Sequence, residues 1–355
     1  FYGTLEYAFD FATLISTTSS IDGNWDLLYK FPSSLAPDGI LEFAYETPTS
    51  TVNNETRLVS RDDRPWQWMV GVFYSDSEVK RRTETNTPDS IPSSESLVTA
   101  ESVSLFGEFS WQLLEGKLIP LVGLRAFEDE RAATSTSLEV GLGPYTFHDT
   151  APRFGLSYLP TADSNYYLNV AKGFRSGSFN TPGVCEVLHS QEGGLPCELT
   201  VPSDELWSYE VGVKRVLVSG QLFVEGALYY QDWRGNRQSV SYSGIGAAYQ
   251  VGDAAVPGID IGLSYTPGSA RGLTVQANAN WNDAHFTRLD PAISAATGVE
   301  AGDRLPAVPE WTASFMARHQ WSLSSGWMGT ASVGYSHLDA QPGQRRAGGG
   351  RGRAE

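Results

Sequence analysis

The sequence has no apolar run of about eighteen residues, the length a membrane-spanning helix needs. It is short of positive charge: 25 Lys and Arg stand against 41 Asp and Glu, for a net charge of -16. A chain so acidic lacks the basic face that a phosphate backbone requires, which excludes nucleic acid as a partner. Histidine is scarce, and His148, His189, His285, His319 and His337 show no metal-ligand spacing on a strand face. There is no P-loop, the glycines around Gly246 lack the third member of a dinucleotide turn, and Arg175-Ser176-Gly177-Ser178 is no nucleophile elbow. No catalytic residue, cofactor or metal is therefore expected. Cysteine is limited to Cys185 and Cys197, twelve positions apart in one excursion. An oxidising compartment would close them into a disulfide.

What the chain has in quantity is aromatics and alternation. There are 10 Trp, 16 Tyr and 16 Phe. In Tyr166–Asn180, Tyr166, Leu168, Val170 and Phe174 fall on one face, and Asn165, Tyr167, Asn169, Ala171 and Arg175 on the other. That period of two predicts a strand with unlike sides. Trp66–Lys80, Val98–Gln112, Glu205–Val218 and Leu273–Asn282 repeat it, the last as Leu273, Val275, Ala277, Ala279, Trp281 against Thr274, Gln276, Asn278, Asn280, Asn282. The whole reads as about fourteen strands, with boundaries good to two to four residues. Loops are expected from Asp26 to about Ser50 and over Thr83–Ser96, and an irregular stretch over Ser239–Pro257.

Two features choose between a soluble all-β domain and a membrane barrel. Tight turns (Arg61–Pro65, Pro160–Ser164, Ser219-Gly220, Ser324–Gly326) alternate with long excursions, as the two rims of an outer-membrane barrel require. The second strand face is Ser, Thr, Asn, Gln and Gly, which suits a wet lumen and cannot fill a dry sandwich core. Trp66, Trp111, Trp281, Trp311, Trp321 and Trp327 sit at strand ends, where aromatic girdles belong. The fold class expected is an all-β antiparallel transmembrane β-barrel over 1–338, followed by a disordered Gly/Arg-rich tail at 339–355. Lys172, on the otherwise apolar face, would snorkel to head groups or mark where the membrane stops.

Four blocks carry a resemblance. Val170–Asn180 (VAKGFRSGSFN) resembles the "KGF(R/K)xGxFN" signature of TonB-dependent outer-membrane receptors. Glu205, Trp207, Tyr209-Glu210, Gly212 and Lys214 follow as that family's "E-W-YE-G-K". Gly302–Pro306 with Pro309–Ser314 is similar to its "LP–P–(W/H)–S", and Glu55–Ser60 to its "QELRLxS". They stand in the family's order over nearly the whole chain. The resemblance implies a truncated barrel whose plug and first strands would precede Phe1. It implies a Gram-negative outer membrane, contact with outer-membrane lipid, and energy drawn from TonB through the absent plug. It implies uptake of a bulky, scarce solute, foremost a ferric siderophore or other iron complex, bound at outer loops by Arg175, Phe179, Asn180, Trp233, Arg234 and His285. A passive porin-like channel and a soluble secreted β-rich binding domain are the alternatives.

Overall fold

The computed structural model describes residues 1–32, 39–86, 93–135, 140–180, 185, 188–189, 196–242 and 245–341. The Gly/Arg-rich tail expected at 339–355 falls almost wholly outside the described residues. The strands are β1 (Tyr2–Ala8), β2 (Ala12–Pro32), β3 (Ile40–Ser60), β4 (Trp66–Thr85), β5 (Ser94–Trp111), β6 (Leu118–Ser135), β7 (Val140–Thr161) and β8 (Ser164–Arg175). Two-residue β9 (Ser178–Phe179) and β10 (Thr200–Val201) come next, followed by β11 (Asp204–Leu217), β12 (Leu222–Tyr242) and β13 (Ile245–Tyr265). The chain ends with β14 (Leu273–Asn282), β15 (His285–Leu289), helix α1 (Pro291–Thr297), β16 (Trp311–Ser322) and β17 (Met328–Leu338). Fifteen strands form one sheet, an antiparallel meander from β1 to β8 and on through β11–β14, β16 and β17, with β15 on the free length of β13. β9 and β10 pair separately.

Register shows why the alternation matters. Trp68, Phe109, Val122, Phe154, Val170, Tyr209 and Tyr230 stand opposite one another across seven strands. One residue along, the row reads Met69, Glu108, Gly123, Arg153, Ala171, Ser208, Gln231 and lies on the other face. The apolar row is uncovered: Val122 is 49% exposed and Phe154 51%. On the opposite face of β5 and β6 it is polar side chains that are buried, Asp129 at 0% and Ser104 at 1%. A sandwich buries its apolar faces against each other. Here the faces are inverted, as a barrel wall with lipid outside and water inside demands.

The girdles set the height of the band. Trp66 faces Trp111 at the tight-turn rim, where Trp321 and Trp327 also lie, and Trp281 faces Trp311 at the other rim. Trp311 and Trp321 share one face of β16, ten residues apart. At about 3.3 Å per residue and a tilt near 40°, that separation is roughly 25 Å of height, the thickness of an outer-membrane apolar band.

Beyond the upper girdle the structure departs from the sequence reading. Most of Asp26–Ser50 is not loop but paired strand, β2 against β3, and Ser239–Pro257 is mostly paired strand as well. Much of Thr83–Ser96 extends β4 and β5. What projects from this rim is hairpin, so the asymmetry between rims lies in strand overhang and in two long excursions, 176–203 and 283–310. From Ile259, which pairs with Trp281, back to Ile245, β13 continues for roughly 45 Å of strand length. The pattern failed there for a physical reason. Outside the hydrocarbon both faces meet water, and residues such as Thr47–Ser50 have no need to alternate.

The dry core also sits in this overhang. Leu188, Val240, Ala247, Tyr249, Val251, Ala254, Phe286, Ile293 and Leu305 pack together with both cysteines. Trp233 and Ala254 are register partners on the face that carries Tyr229 and Gly258 lower down, so this core lies on the lumenal side of β12 and β13.

Candidate functional site

The site is built where β8 ends. Arg175 is the last residue of β8 and stands opposite Asp204, the first of β11. Its Nε donates to both Asp204 oxygens at 3.0 Å, and its Nη2 donates to Asp204 Oδ2 and, at 3.0 Å, to the Arg237 carbonyl. The guanidinium lies over the Trp233 ring, 4.9 Å from its centroid. The Asp204 side chain is 2% exposed and accepts a further bond from the Arg237 amide at 3.2 Å. This fork holds together the ends of the excursion 176–203. The Asp204 carboxylate raises the pKa of Arg175 above the usual arginine value, against the effect of burial.

Two more guanidiniums converge on the next turn. Arg237 Nη1 donates to the Ser176 carbonyl at 2.8 Å and Arg131 Nη1 to the Gly177 carbonyl at 3.1 Å. Gly177 tolerates no side chain: a Cβ would lie 2.3 Å from the Phe147 ring and 2.5 Å from the Val201 carbonyl oxygen. The Arg131 Nε is held by Asp129 at 2.5 Å, and Ser102 donates to the same carboxylate. Burial lowers the Arg237 pKa, Arg175 and Arg131 push it the same way, and Asp204 opposes them.

The excursion is pinned to β13. Asn180 donates to the Glu198 carbonyl (2.9 Å) and the Ala248 carbonyl (2.8 Å), and accepts from the Ala248 amide (2.8 Å). Its amide group is thus occupied by backbone. Cys185 and Cys197 form a disulfide with Cα atoms 5.0 Å apart, beside the fully buried Leu188. His189, which lies between the two cysteines in sequence, accepts the Cys197 N–H through Nε2 at 3.0 Å. Phe179 lies in β9 with its ring 5.6 Å from Tyr145.

The second excursion closes the core. Asp290 caps α1 by accepting from the Ala292 (2.8 Å) and Ile293 (3.3 Å) amides, Pro291 starts the helix, and Gly298 at φ 67° ends it. Arg304 ties the return to Asn282 and Asp283, both at 3.1 Å. His285 bonds the Asp283 carbonyl through Nδ1 at 2.7 Å. Asp253 takes Arg288 Nε at 2.8 Å and the Gly235 amide at 2.9 Å. Burial raises the Asp253 pKa, but these two donors outweigh it and hold the carboxyl below its usual range.

Of the six expected ligand residues, then, Arg175 and Trp233 are in contact, while Phe179 and Asn180 lie in the adjoining excursion. Arg234 follows the parity of Leu228 and Tyr230 and stands on the outward face, paired with Asp232 at 3.0 Å and Glu205 at 3.9 Å. Lys172 belongs to that belt, its Nζ held by Asp149 at 2.7 Å and Glu205 at 2.8 Å. Arg131 and Arg237 were missed. Both lie on stretches that the sequence shows as ordinary strand, and only register brings them to the Ser176-Gly177 turn.

Deeper in the lumen, the wall is polar and self-paired. Glu108 meets Arg153 at 3.2 Å, Glu225 meets Lys214 at 3.8 Å, and Asn280 bridges the Tyr229 hydroxyl and Asp260. Tyr167 crosses Gly212, where a Cβ would lie 2.5 Å from its ring. A groove of about 410 Å³ runs past Tyr167, Glu210, Asp260 and Asn278. Among the described residues no three His, Cys, Asp or Glu side chains converge as a metal site.

An inverted antiparallel meander with two tryptophan girdles and an overhanging rim defines an outer-membrane β-barrel wall. The family model for the TonB dependent receptor-like β-barrel matches residues 1–352, and the chain belongs to that family. Members are outer-membrane transporters of Gram-negative bacteria rather than enzymes. Among solved structures, it is similar to the ferric yersiniabactin uptake receptor FyuA from Yersinia pestis, at 17% identity over 96% of this chain and 50% of that one, TM-score 0.74. It is also similar to two receptors from Acinetobacter baumannii. For BauA, the ferric preacinetobactin receptor, identity is 14% over 95% and 51% of the two chains, TM-score 0.66. For the siderophore receptor PiuA it is 15% over 90% and 52%, TM-score 0.65. The chain spans about half the length of each of these. No curated protein sequence matches it.

Proposed function

We propose that the chain is the wall and outer rim of a receptor that imports an iron complex of siderophore type across the outer membrane, energised by TonB acting through a plug domain. The observation that carries this reading is the rim itself. Arg175 lies over Trp233 above the lumen, and both excursions are anchored by hydrogen bonds, a disulfide and a dry core. Such a surface offers a planar aromatic, a guanidinium and fixed walls to a bulky solute. The names of the similar receptors, all for ferric siderophores or siderophores, point to the same cargo class. Phe179 contributes a second aromatic, and Asn180 positions the excursion through backbone. Arg234 and His285 stand at the margin of the site, one on the outer belt and one at the foot of β15.

The test is uptake of radiolabelled iron by iron-starved cells expressing the whole receptor, with and without TonB. TonB-dependent uptake of at least one ferric chelate, lost in Trp233→Ala with Arg175→Ala, is expected. Passive entry of small solutes that persists without TonB would replace the reading with a porin-like channel.

A further inference from the structure

Around the Ser176-Gly177 turn, charge among the described residues does not balance. Asp129, whose side chain is 0% exposed, is taken by Arg131, and Asp204, at 2%, is taken by Arg175. Each of those guanidiniums therefore has its carboxylate. The Arg237 guanidinium has none: among the described residues its side chain makes no ion pair, and its Nη1 bond runs to the neutral Ser176 carbonyl. The Asp204 bond at this residue goes to its backbone amide instead. Among the described residues, three cations thus gather around one turn with two counter-charges, in a chain whose net charge is -16. Holding a half-buried guanidinium beside two others is unfavourable unless something negative meets it. A guanidinium with free donors, fixed by backbone at one nitrogen, fits a carboxylate or catecholate oxygen pair.

We propose that Arg237, between Arg175 and Arg131, seats an anionic group of the solute, so that the chelate this receptor selects carries negative charge. The inference rests on the transport reading for the identity of the cargo, and on the geometry alone for its sign. Arg175 and Trp233 present the flat surface; Arg237 supplies the uncompensated charge that discriminates anionic from neutral chelates.

The experiment is calorimetric titration of the whole purified receptor with three probes: ferric citrate as an anionic chelate, a neutral ferric trihydroxamate, and metal-free citrate. The unmodified protein is expected to bind ferric citrate more tightly than the neutral chelate, with affinity falling as salt rises. Arg237→Gln should weaken ferric citrate by about tenfold or more, equivalent to about 1.4 kcal/mol, and leave the neutral chelate unchanged. Arg237→Lys, which keeps the charge, should retain most of the affinity and controls for folding. A preference for the neutral chelate, equal losses for both chelates, or no loss for either in Arg237→Gln overturns the proposal. Failure of the two readings is distinguishable. Normal import of a neutral ferric chelate with indifference to anions would sink the anion seat and leave transport standing. Arg237-dependent binding of metal-free citrate without uptake of any ferric chelate would do the reverse.

Discussion

Asp204→Asn keeps the shape of the rim and removes the charge on which its fork depends. The carboxylate is nearly fully buried and accepts from Arg175 and from the Arg237 amide, so its loss strands donors on both sides. Breaking a fully buried pair costs about 3–5 kcal/mol, and an exposed pair is worth about 0.2–1 kcal/mol. The Arg175 side chain is 46% exposed, so water recovers part of what it loses. The expected local cost is therefore about 2 kcal/mol, close to thirtyfold in the local opening equilibrium. Hydrogen exchange of the whole receptor reads this directly. The Arg237 amide and the amides at the β8–β11 ends should exchange faster by that factor, while the Asn278 amide in the band should not change. A double-mutant cycle with Arg175→Met should recover a coupling of about 1–2 kcal/mol. No change at Arg237, or an equal change at Asn278, would refute the claim that this pair holds the excursion.

Three further outcomes are expected. Phe315, on the outward face between Trp311 and Trp321, lies near mid-band, so Phe315→Arg should cost roughly 2–4 kcal/mol in refolding into vesicles; its inward neighbour Ser314→Arg should cost under about 1 kcal/mol. Replacing Cys185 and Cys197 by Ser removes a twelve-residue closure worth about 3 kcal/mol in the loop-entropy account, and should speed proteolysis of 180–199 while leaving the band's strands protected. The Asp253 carboxyl is held below its usual range, so its contribution is present above about pH 4 and is lost as pH falls through its folded value. Because Arg288 is largely exposed, that contribution is under about 1 kcal/mol. The protection of the Gly235 amide, taken relative to its intrinsic exchange rate at each pH, should fall on acidification, and in Asp253→Asn that protection should no longer vary with pH.

How much of this was legible in the residues follows from where water and lipid meet the chain. Within the band, hydrocarbon on one side and water on the other force Leu273 and Gln276 apart, and the period of two records it. The girdle tryptophans were readable for the same reason, since an amphipathic ring at a strand end has one natural level. The overhang was not, because Thr47–Ser50 and Ser239–Pro257 lie where no apolar face is required. Arg175 and Trp233 could each be named as candidates because the signature block runs through one and the next hairpin passes the other, but their contact comes only from the fold. Arg237 could not, since it reaches the Ser176 carbonyl only through a register shift between Trp233 and Arg237 that no local pattern announces. Arg234 stood out as the neighbour of Trp233, and alternation along β12 turns the two to opposite faces.

The account depends most on which face of the wall is bathed by lipid. Among the described residues the native cysteines are paired, so single cysteines introduced along Asn165–Val170 can be spin-labelled selectively in the membrane-embedded receptor. Oxygen, which partitions into hydrocarbon, should relax labels at Tyr166, Leu168 and Val170 most strongly. A water-soluble nickel chelate should do so at Asn165, Tyr167 and Asn169. Two accessibility profiles in opposite phase with a period of two are the predicted result; profiles that coincide, or that run in the reverse phase, would contradict the account.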